Sequence, residues 1–208
     1  MEFLFVGCSI TWGDELEDRL NERYSKLVSD ACGANENNVA EMAQSNDWIA
    51  RRTVEETRKK KYDRVYVQLT MPSRLEYFTN TGAYRFKKSQ KHIWKDRVHW
   101  SHGRAYYKRV YTMQHGVENM YKNKFLIENA VDFRTQLVFL SADCCPENYD
   151  MRLHDRSHWK RLCKMKQHWI WKDMLGHAFK EGPLGQDETH PNKPSHQKIA
   201  DYLLKHGE

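Results

Sequence analysis

A serine hydroxyl attacks a carbonyl only when a neighbouring base takes its proton, and that base is commonly oriented by a carboxylate. The chain offers those three parts at its two ends. Ser9 lies in Gly7-Cys8-Ser9-Ile10-Thr11-Trp12-Gly13, directly after an apolar run. Asp187 and His190 lie in Asp187-Glu188-Thr189-His190-Pro191. On a loop or a first helical turn, a spacing of three can put an acid and a histidine on one side. Asp187 can then accept a hydrogen bond from one ring nitrogen of His190 while the other faces Ser9. The chemistry predicted is acyl transfer through Ser9, which requires neither a metal nor an organic cofactor.

Three other groupings compete with that reading. Cys8 is a potential nucleophile beside Ser9, but a small residue packed under a turn is the better reading, since cysteine is among the most buried types. His154 and His158 are spaced four apart, with Cys144, Cys145 and Cys163 in the neighbourhood. Without a paired Cys-x-x-Cys or a His-Glu-x-x-His they read as two histidines on a partly exposed helix, not as a zinc site. The stretch from Arg85 to Arg109 mixes cations with Tyr84, Phe86, Trp94, Trp100, Tyr106 and Tyr107. Phosphate contacts and base stacking would use such a mixture. No nucleic-acid motif accompanies it, and a solvated helical hairpin covering the site is expected instead.

These residues need elements to position them. Residues 2–6 read as a buried strand ending at Gly7, and Tyr24 to Cys32 as a helix stopped by Gly33. A short strand is predicted over Asn38 to Met42, a helix from Asp47 to Lys61, and strands over Arg64 to Leu69 and Leu137 to Leu140. Helices are predicted over Gly103 to Ala130, Asp155 to Leu175 and Ser195 to Lys205. The last has Ser195 as N-cap and Ile199, Tyr202 and Leu203 facing the core. Strands alternating with helices predict a mainly parallel sheet covered on both faces. Ligands bind beyond the carboxyl ends of such strands, which is where the turn carrying Ser9 falls.

In its motifs the chain resembles the SGNH/GDSL hydrolases. Gly7-Cys8-Ser9-Ile10-Thr11-Trp12-Gly13 is similar to their first block, Gly-Asp-Ser-Ile-Thr-x-Gly, with Cys8 in place of Asp. Asn38-Val39-Ala40-Glu41-Met42-Ala43-Gln44-Ser45-Asn46 resembles the second block, with Ala43 at the place of a glycine. Asp187-Glu188-Thr189-His190-Pro191 matches the last. The third block departs: Gly-x-Asn-Asp is absent, and Leu69-Thr70-Met71-Pro72-Ser73-Arg74-Leu75-Glu76 stands there. That variant resembles small SGNH-like proteins encoded by bacteriophages.

The resemblance implies one flavodoxin-like α/β/α sandwich over residues 1–208, with an insertion at about 77–130. It implies an esterase using Ser9, His190 and Asp187, with the oxyanion held by the backbone N–H groups of Ser9 and Ala43. The family's third donor, an asparagine side chain, is missing at its usual place. Asn46, Thr70 and Arg74 are the candidate substitutes, and slow turnover of simple esters is expected if none reaches the oxyanion. Thr11 and Trp12 are the candidate substrate contacts. The expected partner is a small-molecule or carbohydrate ester. The same fold kept only for binding, in a virion or host-interaction protein, is the alternative, and a nucleic-acid binder is a third reading.

At 208 residues the chain is long enough for one full core. Its 39% hydrophobic and 12% aromatic content argues against disorder. A net charge of +6 mildly favours anionic partners without identifying one. No apolar run reaches the roughly 18 residues of a membrane helix. The apolar start has no basic n-region or small-residue cleavage site, so a cytoplasmic protein is expected. Five cysteines without disulfide-scaffold spacing predict free thiols. Oligomeric state is left open.

Overall fold

The computed structural model describes residues 1–79, 82–86, 105–141, 169–171 and 190–206. Five strands form one sheet: β1 (Glu2–Val6), β2 (Asn35–Asn38), β3 (Arg64–Leu69), and two later strands, β6 (Gln136–Ser141) and β7 (Trp169–Trp171). Their order is β2-β1-β3-β6-β7, and every neighbouring pair is parallel. Consecutive side chains of β1 point to opposite faces, as the pleat requires. Phe3 and Phe5 join Tyr66, Val138 and Leu140 on one face, while Leu4 and Val6 join Val65, Val67, Leu69 and Phe139 on the other. Both faces are covered, which is why these strands are near-continuous apolar runs.

Two helices cover the Phe3 face. They are α3 (Tyr24–Ala31), through Tyr24 and Val28, and α6 (Lys193–His206), through Ile199, Ala200 and Leu203. The Leu4 face is covered by α4 (Asn46–Lys59), through Trp48 and Ile49, and by α5 (Met113–Ala130), through Val117, Met120 and Ile127. The short helices α1 (Ser9–Trp12) and α2 (Arg19–Glu22) follow β1, and an antiparallel hairpin of β4 (Leu75–Thr79) and β5 (Gly82–Phe86) follows β3. The result is the expected three-layer α/β/α sandwich with a mainly parallel sheet. No helix among the described residues is long and apolar enough to cross a membrane.

Several boundaries differ from the expectations. The second strand is Asn35–Asn38, not Asn38 to Met42, because the polar run Asn35-Glu36-Asn37-Asn38 takes the edge of the sheet beside β1. Edge position lets polar residues form a strand that composition disfavours. The helix expected from Gly103 is interrupted at 110–112, where the Thr112 side chain accepts the His115 N–H and starts α5 afresh. Part of the segment expected as a helical hairpin is instead β5. In the helical half of the stretch at 77–130, α5 packs on the sheet through Val117, Met120 and Ile127. Residues 169–171 pair with β6 where helix was expected. Ser195 lies inside α6. Asn192 precedes the helix and accepts from the Ser195 N–H at 3.3 Å and the His196 N–H at 2.9 Å.

Candidate active site

The strand order reverses direction between β1 and β3, and an open parallel sheet leaves a crevice at that point. Two turns end there, Gly7-Cys8-Ser9 after β1 and Thr70 onward after β3. Ser9 opens α1 and is 6% exposed. Gly7 is obligatory for this geometry: a Cβ on it would come within 2.8 Å of the Thr11 Cβ and 2.9 Å of the Gln68 Cβ. The glycine lets β1 pass directly beneath the turn.

That turn is held by a closed set of side-chain bonds. Gln68 projects from β3, accepts from the Thr11 N–H at 3.1 Å and the Thr11 hydroxyl at 2.6 Å, and donates to the Cys8 sulfur at 3.0 Å. The Thr11 proton goes to Gln68, so the Tyr24 hydroxyl is the donor in its 2.8 Å contact with Thr11. Asn38 adds a third tether, donating to the Thr11 carbonyl and the Ser25 hydroxyl, both at 2.7 Å. Burial pushes the Cys8 thiol up, but the Arg74 charge and donors that include Gln68 outweigh it and hold the thiol below its ordinary value.

His190 reaches Ser9 from the other end of the chain, with Nε2 2.8 Å from Oγ. The start of α6 fixes it there. Lys193 pairs with Glu22 at 2.8 Å, and His196 Nδ1 accepts the Tyr24 N–H at 3.1 Å. Burial holds His196 down to about 3, with the neighbouring His190 adding to the effect, so its imidazole is neutral. An aspartate that sequence reasoning missed also faces the base: Asp14 Oδ2 is 3.7 Å from His190 Nε2.

Of the sequence-predicted residues, Ser9 and His190 are brought together. Asp187 lies outside the described residues, as do Cys144, Cys145, His154, His158, Cys163 and most of Arg85 to Arg109. Ala43 has φ 62°, the left-handed conformation that glycine adopts freely. It thus keeps the backbone shape of the position where the resembling motif has glycine.

Thr11 has no exposed surface, and its hydroxyl is engaged by Gln68 and Tyr24, so it holds the turn. Asn46 is engaged too. Its amide pairs in both directions with the Thr70 backbone, at 3.0 and 2.8 Å, and it is 1% exposed, so it ties α4 to β3. Trp12 is half-buried, with the Arg19 guanidinium 3.4 Å from its ring centroid, so one face is covered. Arg74 donates to the Gln44 carbonyl at 3.2 Å, next to Ala43, and its Nε is buried without a partner among the described residues. The turn beside it is covered by Tyr107, which donates to the Ser73 carbonyl at 2.5 Å and packs edge-on against Tyr106 and Tyr111.

No family model matches the chain, and no curated protein does either. Solved structures do. The psychrotrophic esterase EstA from Pseudoalteromonas sp., in a form inhibited by monoethylphosphonate, is similar at 16% identity, covering 99% of this chain and 95% of that one, with a TM-score of 0.59. A member of the lipolytic G-D-S-L family from Veillonella parvula is similar at 13% identity over 99% and 97%, with a TM-score of 0.57. A catalytic mutant of the acetylxylan esterase Axe2 from Geobacillus stearothermophilus is similar at 14% identity over 99% and 93%, also with a TM-score of 0.57. Sequence motifs at both ends and these end-to-end structural matches agree: the chain has the SGNH/GDSL-hydrolase fold.

Proposed function

We propose that the protein hydrolyses carboxylic esters through a Ser9 acyl-enzyme. The observation that carries this is the 2.8 Å contact between Ser9 Oγ and His190 Nε2 at the carboxyl ends of a parallel sheet. His190 Nε2 takes the Ser9 proton as Oγ attacks the ester carbonyl. Asp187, three residues before His190, accepts from the other ring nitrogen and stabilises the imidazolium. The oxyanion is held by the N–H groups of Ser9 and Ala43. His190 then gives its proton to the departing alcohol, and water attacks the acyl-enzyme with His190 as base. The esterases and the acetylxylan esterase among the similar structures support an ester of a small molecule or a carbohydrate as substrate.

A fluorophosphonate probe reacts only with an activated serine, so it tests the proposal directly. The probe is expected to label Ser9, and Ser9→Ala is expected to remove labelling and lower kcat by up to about 10⁶-fold. No labelling and no ester turnover in a folded protein would overturn it and favour a fold kept for binding.

A further inference from the structure

We infer that Asp14 is a specificity residue for the leaving alcohol, and that the site selects esters whose alcohol half carries a hydroxyl next to the ester oxygen. This rests on the serine-hydrolase reading and adds the substrate feature it lacks. The backbone leaves α1 through Gly13 at φ 87°, and the N–H groups of Gly13 and Asp14 both return to the Ser9 carbonyl at 3.0 Å. A Cβ on Gly13 would meet the Arg19 Cγ at 2.8 Å, so the turn is tightly packed from behind. Asp14 is therefore pinned to the nucleophile's own helix, and its carboxylate is directed at the base.

Proximity to Nε2 is what gives Asp14 a role. That nitrogen hands its proton to the departing alcohol, whose oxygen must come within about 3 Å of it. With Oδ2 3.7 Å from the same nitrogen, the leaving oxygen and the Asp14 carboxylate are no more than about 7 Å apart. Atoms one or two bonds beyond the ester oxygen are then within reach of the carboxylate. A carboxylate only accepts hydrogen bonds, so it attracts a hydroxyl there, gains nothing from a hydrocarbon, and repels an anion.

A neutral hydroxyl donates to a carboxylate without bringing a second charge, and the cations Arg23 and Lys193 are already paired with Glu36 and Glu22. Asp14 is 27% exposed at its side chain, open enough to meet a substrate.

The test uses matched acetates that differ only beyond the ester oxygen: 2-hydroxyethyl acetate against ethyl acetate, and acetylcholine against 3,3-dimethylbutyl acetate. Fluorophosphonate labelling of Ser9 is scored in parallel. The intact protein is expected to favour 2-hydroxyethyl over ethyl acetate in kcat/KM by on the order of tenfold, the scale of one hydrogen bond to a charged group. Asp14→Ala should bring that ratio near one, and Asp14→Asn should leave it in between. A ratio near one in the intact protein overturns the inference. So does an equal fall for both esters in Asp14→Ala, which would make Asp14 a support for the His190 charge. A larger Asp14-dependent preference for acetylcholine would make it a reader of cations and overturn it as well. Labelled Ser9 with no discrimination sinks this inference alone, whereas no labelling and no turnover sinks the serine-hydrolase reading with it.

Discussion

The two turns that meet at the site are built in opposite ways. After β1, the Ser9 turn has its polar groups spoken for: Thr11 is bonded to Gln68 and Tyr24, Gln68 also donates to Cys8, and Asn38 donates to the Thr11 carbonyl. After β3, the facing turn keeps a buried donor without a partner among the described residues, the Arg74 Nε. Buried polar atoms are nearly always paired, and exceptions gather where a protein does work. The contrast teaches a division of labour. The Ser9 turn is held rigid in advance, while the facing turn keeps one buried donor, the Arg74 Nε, whose partner in the proposed reaction is the developing negative charge.

In the facing turn the largest effect is expected at Arg74. Among the three candidates for the missing oxyanion donor, Asn46 is committed to the Thr70 backbone, whereas Arg74 bonds beside Ala43 and its charge is felt at Cys8, next to Ser9. Arg74→Ala should lower kcat on p-nitrophenyl acetate by about 100- to 1,000-fold with little change in KM, because the bond strengthens only as charge develops. Arg74→Lys, which keeps the charge but not the fork, should recover part of the loss. Full activity in Arg74→Ala would break the contrast and place the oxyanion elsewhere. Asn46→Ala should show mainly as lost stability.

A middling effect is expected on the satisfied side. Thr11→Val keeps the shape but strips the hydroxyl, leaving the Gln68 oxygen and the Tyr24 hydroxyl short of a buried partner. Leaving such groups unpaired costs about 1–3 kcal/mol, or about 2–12 °C in Tm for a chain this long. Thr11→Ser should restore most of it. Equal Tm for Thr11→Val and the natural chain would show that the network is not what holds the turn.

The legible part of this molecule was its outline. Apolar runs such as Phe3-Leu4-Phe5 and Val65-Tyr66-Val67 announce buried parallel strands, and the serine and histidine motifs announced the pair at the crevice. What was hidden has physical reasons. The strand Asn35–Asn38 is polar because it is an edge, so no hydrophobic pattern marks it. The second-block motif drew the expected strand three residues too far along. Thr11 was expected beside the substrate because it neighbours Ser9, and a helical turn sends its side chain inward to Gln68 and Tyr24. Gln68 was readable after the fact, as a buried polar residue near the end of a strand that ends at the site. Asp14 gave no signal, since its approach to His190 depends on 175 intervening residues folding back.

The smallest expected effect sharpens the contrast at Ala43. This residue holds φ 62° without being glycine. A left-handed backbone costs an ordinary L-residue about 1–2 kcal/mol, and glycine escapes that cost but loses about 0.5–1 kcal/mol through the freedom of its unfolded chain. Ala43→Gly should therefore raise stability by less than about 1 kcal/mol, a Tm gain of at most about 4 °C by thermal unfolding. The backbone N–H stays in place, so kcat should change by less than about threefold if that donor is all the site takes from this position. Ala43→Val should go the other way, since a β-branched residue tolerates positive φ poorly. A large fall in kcat for Ala43→Gly without a fall in Tm would mean that the strain itself aims the donor, and that rigidity is built into both turns rather than one.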